Sequence, residues 1–144
     1  MVIYMKKDTG KLIEELNLCP DFHSFYCENK NYIVESSLSE LLSQMMQDKG
    51  LRRADVIHAS ELSEVYAYQI FSGLRMPTRK KLLALAVGMK LTVDEVQRVL
   101  KQAGYPSLYI KLAFDSVVLY GIHKHLSVCE INQMLFEYDQ ECIG

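Results

Sequence analysis

The sequence predicts an all-α fold. Three observations carry that prediction. Apolar side chains recur at i, i+3, i+4 and i+7, best seen at Leu38, Leu41, Leu42, Met45 and Met46. Ser or Thr followed three residues later by Glu opens several of these stripes, the pattern of a capping box. No stretch alternates apolar and polar long enough to be a half-buried strand.

Taken in order, the first 36 residues are the least patterned. A short amphipathic helix is expected from Thr9 to Leu16, with Leu12, Ile13 and Leu16 on one side. Pro20 then opens a second, Asp21 to Cys27, carrying Phe22, Phe25 and Tyr26. Asn29, Lys30 and Asn31 mark a turn, and Tyr32 to Val34 an extended connector.

From Ser37 the signals sharpen. Ser37 and Glu40 form a capping box, the apolar stripe follows, and Gly50 is placed to end the helix in a left-handed conformation. A second helix is expected from Arg53 to Ala59, burying Val56 and Ile57. Ser63 caps a third that runs through Ile70 and Phe71 to Gly73. Pro77 and Thr78 open a fourth, with Leu82, Leu83, Leu85 and Ala86. Beyond it, Leu91 to Gln97 matches Leu126 to Asn132, positions 91 to 126 giving an offset of 35 residues. Both copies hold a capping box, Thr92 with Glu95 and Ser127 with Glu130. This is either a duplication of one helix-turn-helix unit or the generic look of helical hairpins. The expected total is seven or eight helices, divided as 1–36, 37–104 and a C-terminal hairpin over 105–144 packed on the same core.

Composition bounds the function. The 144 residues are 49% hydrophobic and 24% charged, ordinary for a globular protein. No apolar run approaches membrane-spanning length, the N-terminus lacks signal-peptide character, and the cytoplasm is the expected compartment. Cys19, Cys27, Cys129 and Cys142 form no C-x-x-C pair and are expected as reduced, unliganded thiols. His123, His125 and Cys129 resemble a metal site only faintly, because residues two apart on a helix diverge; no metal and no cofactor is expected. Without a phosphate loop, a nucleophile elbow or an H-E-x-x-H motif, the chain is not expected to be an enzyme. A net charge of −2 argues against coating nucleic acid in bulk. The cations are nonetheless segregated. Between Leu51 and Lys81, six Lys and Arg against Asp55, Glu61 and Glu64 leave +3, so the remainder carries −5.

Residues 50–73, GLRRADVIHASELSEVYAYQIFSG, resemble the helix-turn-helix core of the XRE family, which includes the phage lambda repressor. The matching points are Gly50-Leu51 before the second helix, Leu62 in the turn, and Ile70 to Gly73 closing the third. Arg75 to Pro77, Leu82 to Ala86 and Leu91 to Glu95 fit the family's fourth and fifth helices. About 60 of the 144 residues are covered. The resemblance implies a lambda repressor-like domain with extra N- and C-terminal helices, binding double-stranded DNA as a homodimeric transcriptional regulator. It also implies that the helix beginning at Ser63 lies in the major groove. Its outward residues, Glu64, Val65, Tyr68 and Gln69, would then read bases. Arg52, Arg53, Ser72, Arg75, Arg79 and Lys80 would contact phosphates. Tyr66 is open between a contact and packing. Arg53 stands where the family often places glutamine, and Glu61 and Glu64 put carboxylates where phosphates would approach. They favour the alternative of a protein-protein interaction module on a helix-turn-helix frame. An apolar surface from Tyr109 to Asp139 (Leu112, Val118, Leu119, Ile122, Ile131, Met134 and Leu135) is either a dimer contact or a larger core.

Overall fold

A computed structural model describes residues 8–30 and 37–144, and all its regular structure is helical. The expected connector at Tyr32 to Val34 lies outside the described residues. The chain divides into two compact units, Met1–Ser36 and Ser37–Gly144.

In the first unit, α1 (Thr9–Leu18) is capped by Asp8, whose carboxylate accepts from the Lys11 N–H at 2.7 Å. Asp21 caps α2 (Phe22–Asn29) in the same way through the Ser24 N–H, and that bond holds its carboxyl below the ordinary range. Both helices run two residues beyond the expected ends.

The second unit contains α3 (Leu38–Lys49), α4 (Arg53–Ser60), α5 (Glu64–Phe71), α6 (Arg79–Gly88), α7 (Val93–Gln102), α8 (Ala113–His123) and α9 (Val128–Glu137). Nine helices among the described residues exceed the seven or eight expected. None is long and apolar enough to cross a membrane. Ser37 caps α3 by accepting from the Glu40 N–H.

One junction recurs four times. A left-handed residue, a leucine and an N-cap residue follow one another at Gly50-Leu51-Arg52, Glu61-Leu62-Ser63, Lys90-Leu91-Thr92 and His125-Leu126-Ser127. The leucine N–H reaches back to a carbonyl of the last turn at three of them: Leu51 to Met46 (2.9 Å), Leu91 to Ala86 (3.2 Å) and Leu126 to Gly121 (2.9 Å). This is the Schellman arrangement, with the leucine as its apolar clasp. Only the first junction uses glycine. Glu61, Lys90 and His125 hold φ of 58°, 56° and 57° despite a left-handed cost of about 1 kcal/mol each.

The 35-residue repeat is a structural duplication. α7 and α9 begin at 93 and 128 with both halves of the capping box formed in each. Beyond the sequence match, the Gln97 amide makes two bonds to the Leu108 backbone (3.0 and 2.7 Å). Asn132 makes the same pair to Ile143 (3.1 and 2.8 Å). Leu108 and Ile143 are both buried, neither foreseen as core. Generic hairpins do not share such a clamp. The two hairpins also meet through like sides, α6 against α9 and α7 against α8, as a pseudo-two-fold requires. Volume is exchanged within the repeat. Where the first copy has Ala86 and Val96 the second has Gly121 and Ile131, and a Cβ on Gly121 would lie 2.4 Å from Ile131 Cγ1.

The first hairpin holds α4 by close backbone contact. α6 packs on α4, so closely that a Cβ on Gly88 would lie 2.8 Å from the Val56 carbonyl oxygen and the Ser60 nitrogen. One hydrophobic core runs from Leu38 to Ile143. Of the expected apolar surface in the C-terminal helices, Val118, Ile122, Ile131 and Leu135 belong to that core. Leu119 and Met134 are half-buried, and Leu112, at 55% exposure, precedes α8 instead of lying within it.

Candidate nucleic-acid interface

α5 is an eight-residue helix fixed at both ends. Ser63 accepts from the Tyr66 N–H (3.2 Å), and the Ser72 hydroxyl donates to the Gln69 carbonyl (3.1 Å). Its inner face, Ala67, Ile70 and Phe71, is buried as the i, i+3, i+4 spacing requires. The outward residues are where the sequence put them. Glu64 and Ser72 are exposed, Val65 is 69% and Tyr68 43% exposed, and Gln69 is half-buried.

The cations around this helix are held by aromatic rings. Arg53, at the start of α4, lies over the Phe71 ring with Cζ 5.1 Å from its centroid. Arg75 Cζ and Lys81 Nζ lie 5.2 and 5.1 Å from the centroid of Tyr66. The Tyr66 hydroxyl accepts from the Thr78 N–H, which ties the loop before α6 to α5. Gln69 Oε1 accepts from Arg75 Nε at 2.7 Å. Gln69 therefore orients the Arg75 guanidinium, and Tyr66 is a platform for two cations. Arg52 is exposed, with no side-chain capping bond.

Two expected phosphate contacts turn elsewhere. Arg79 forms a two-pronged bond to Asp115 (Nη1 to Oδ1 3.1 Å, Nη2 to Oδ2 3.2 Å) and donates to the Pro106 and Ser107 carbonyls. Every donor direction it uses points into the fold, clasping the α7–α8 connection. Lys80 pairs with Glu141 and lies over the Phe114 ring. Lys81, not singled out, is the member of the triplet that lies over the Tyr66 ring. With Thr78 as N-cap, residues 79, 80 and 81 are the first three of α6 and point about 100° apart, so one alone faces Tyr66. A basic triplet in sequence does not reveal which one that is.

The resulting face is polarised. Arg53, Arg75 and Lys81 are seated on the rings of α5. Beside the α5 N-terminus, Glu61 and Glu64 border a shallow depression with Ala54, Ile57, His58 and Leu62. With Arg79 and Lys80 engaged internally, Arg52, Arg53, Arg75 and Lys81 stand against Asp55, Glu61 and Glu64. Among the described residues no group of three or more His, Cys, Asp or Glu is placed to hold a metal ion. No protein-family model, curated protein or solved structure matches the chain.

Proposed function

We propose that this chain is an XRE-type regulator that binds duplex DNA by laying α5 in the major groove. The observation that carries the reading is the seating of Arg53, Arg75 and Lys81 on rings at α5, beside a helix that exposes Glu64, Val65 and Tyr68. A cation already ordered over an aromatic ring loses little side-chain freedom on meeting a phosphate. Val65 and Tyr68 present an apolar edge and a hydroxyl, suited to a thymine methyl and a base acceptor. Glu64 accepts from a cytosine amino group. Gln69 acts through Arg75.

The number of free cations sets the strength. Four phosphate contacts per protomer give a slope of log K against log salt of about −3.6, roughly doubled in a dimer. Selection from random duplexes at about 50 mM salt, followed by anisotropy titration, tests the reading. An enriched near-palindrome is expected. Arg75→Ala with Lys81→Ala is expected to lower the slope magnitude by about 2 per protomer, for all sequences alike, with the fold intact. Absence of any duplex binding at that salt overturns the reading.

A second reading has an observation of its own. Val65, Leu74 (81% exposed) and Met76 (60%) stand out on and beside α5 with Glu61 and Glu64, an apolar and acidic face fit for a protein partner. It predicts binding that barely changes with salt and survives Lys81→Ala.

A further inference from the structure

Where the turns of the two hairpins meet, the duplication leaves a cavity of about 370 Å³. Three pairs of equivalent residues line it, each pair 35 positions apart: Val87 with Ile122, Lys90 with His125, and Leu91 with Leu126. A cavity lined by both members of each pair lies across the pseudo-two-fold. Ala59 at the end of α4, with Ser127 and Glu130 of the α9 capping box, completes the lining. The apolar part is wholly aliphatic, and Val87 and Leu126 are only half-buried. The polar part breaks the symmetry. Glu95 of the first copy is paired with Lys49 at 2.8 Å, whereas among the described residues its equivalent Glu130 has no cation, and its carboxylate accepts from the Ser127 N–H. Lys90 and His125 are exposed, and among the described residues neither side chain has an ion-pair or hydrogen-bond partner. One ammonium and one carboxylate thus border a common aliphatic cavity without pairing to each other.

We infer that this cavity binds a small aliphatic zwitterion, an α-amino acid of the leucine type. Its volume falls within the span of small-ligand pockets, about 300–1,000 Å³, in which an apolar lining holds the ligand and a few polar groups orient it. Lys90 suits the carboxylate, Glu130 the ammonium, and the aliphatic lining the side chain. His125 adds ring nitrogens able to donate to or accept from either end. A simple anion would be opposed by Glu130 and a simple cation by Lys90; a zwitterion answers both. No aromatic residue lines the cavity to favour a flat ring. Lys90 and Glu130 belong to different copies of the repeat, so the ligand bridges the two hairpins. The site does not rest on the regulator reading, although Ala59 stands just before the turn that leads to α5.

Amide correlation spectra of the isotope-labelled full chain, titrated with L-leucine in the absence of DNA, test the inference. Saturable shifts are expected at residues 87–91 and 122–130, with a Kd on the order of 0.1–1 mM, as suits a ligand of so few atoms. Isocaproate, which is leucine without its ammonium, and isoamylamine, which lacks the carboxylate, bind at least about tenfold more weakly. Glycine, which lacks the side chain, does not bind. Glu130→Gln and Lys90→Asn each lower leucine affinity at least about fivefold. Both keep the fold, since glutamine also closes a capping box and asparagine accepts the left-handed conformation of residue 90. Lys101→Gln, exposed and outside the cavity, leaves binding unchanged. The inference is overturned by the lack of a saturable shift up to about 20 mM leucine. Either analogue binding as tightly as leucine, or a Kd that neither variant moves, overturns it too. A chain that binds leucine but no duplex loses the regulator reading and keeps this one. Duplex binding without leucine binding does the reverse.

Discussion

Arg79→Ala separates the structural cations from those left free for a ligand. The Asp115 side chain is 3% exposed and that of Arg79 22%. The carboxylate accepts from both guanidinium prongs and from the Tyr109 N–H at 2.8 Å. Removing one partner of a buried pair costs about 3–5 kcal/mol, because the other charge is left without compensation. Here the Tyr109 bond remains and the Arg79 side admits some water, so the expected loss falls below that range, at about 2–3 kcal/mol. With an m-value of about 2 kcal/mol/M in urea, the midpoint followed by far-UV circular dichroism falls by about 1–1.5 M. Arg79→Ala with Asp115→Ala is expected to cost less than the sum of the two single changes, since neither charge is then left buried without its partner. Arg75→Ala, at an exposed site, leaves the midpoint within about 0.3 M. The reasoning fails if Arg79→Ala keeps the wild-type midpoint but abolishes duplex binding, because Arg79 would then belong to the interface.

Two further outcomes follow from the hairpins. Gly121→Ala drives a methyl into Ile131 Cγ1 and Cδ1 and is expected to cost about 1–3 kcal/mol, while adding Ile131→Val, which removes Cδ1 and gives the residue pair of the first copy, recovers part of it; additive losses in a double-mutant cycle would refute the exchange. Burial works against the charge on Glu95, but the Lys49 ammonium (2.8 Å) and the Thr92 N–H (2.9 Å) outweigh it and hold the carboxyl below its ordinary value. Its stabilisation is therefore complete above the ordinary glutamate range and is lost as pH falls through the depressed value. Glu95→Gln is expected to flatten that acid limb by less than about 1 kcal/mol in urea melts at stepped pH, and an unchanged slope would contradict the assignment.

Local chemistry made most of the fold legible in the sequence. Caps at Ser37, Ser63, Thr92 and Ser127 and the stop at Gly50 act within one helical turn, so residue types a few positions apart reveal them. The Glu61, Lys90 and His125 turns were harder, because non-glycine residues adopt the left-handed conformation there and only the following leucine marks the junction. The inner and outer sides of α5 were readable from periodicity. The fates of Arg79 and Lys80 were not, since Asp115 and Glu141 lie 36 and 61 positions away and no local pattern links them. Charge segregation along the sequence therefore overstated the free positive charge. The clamps at Leu108 and Ile143 escaped for a related reason: each is an amide gripping a backbone 11 residues on, with no side-chain signature at the gripped end.

The junction before α5 does not single that helix out. Four junctions share the left-handed residue, the leucine and the cap position, so four helices begin in the same way and three of them are capped by a hydroxyl. What distinguishes α5 is what surrounds it. α7 has no aromatic residue on which a cation can rest, and the Phe136 ring of α9 stands 78% exposed. α5 carries Tyr66 and Phe71, both turned toward cations contributed by α4, by the following loop and by α6. A helix that served only to fill the core would have no use for guanidinium and ammonium groups ordered at its margins. If duplex selection enriches nothing, the apolar and acidic face of Val65, Leu74 and Met76 with Glu61 and Glu64 is left as the docking surface, and Tyr66→Ala, which releases Arg75 and Lys81 together, would leave that partner's binding unchanged while weakening any binding to DNA.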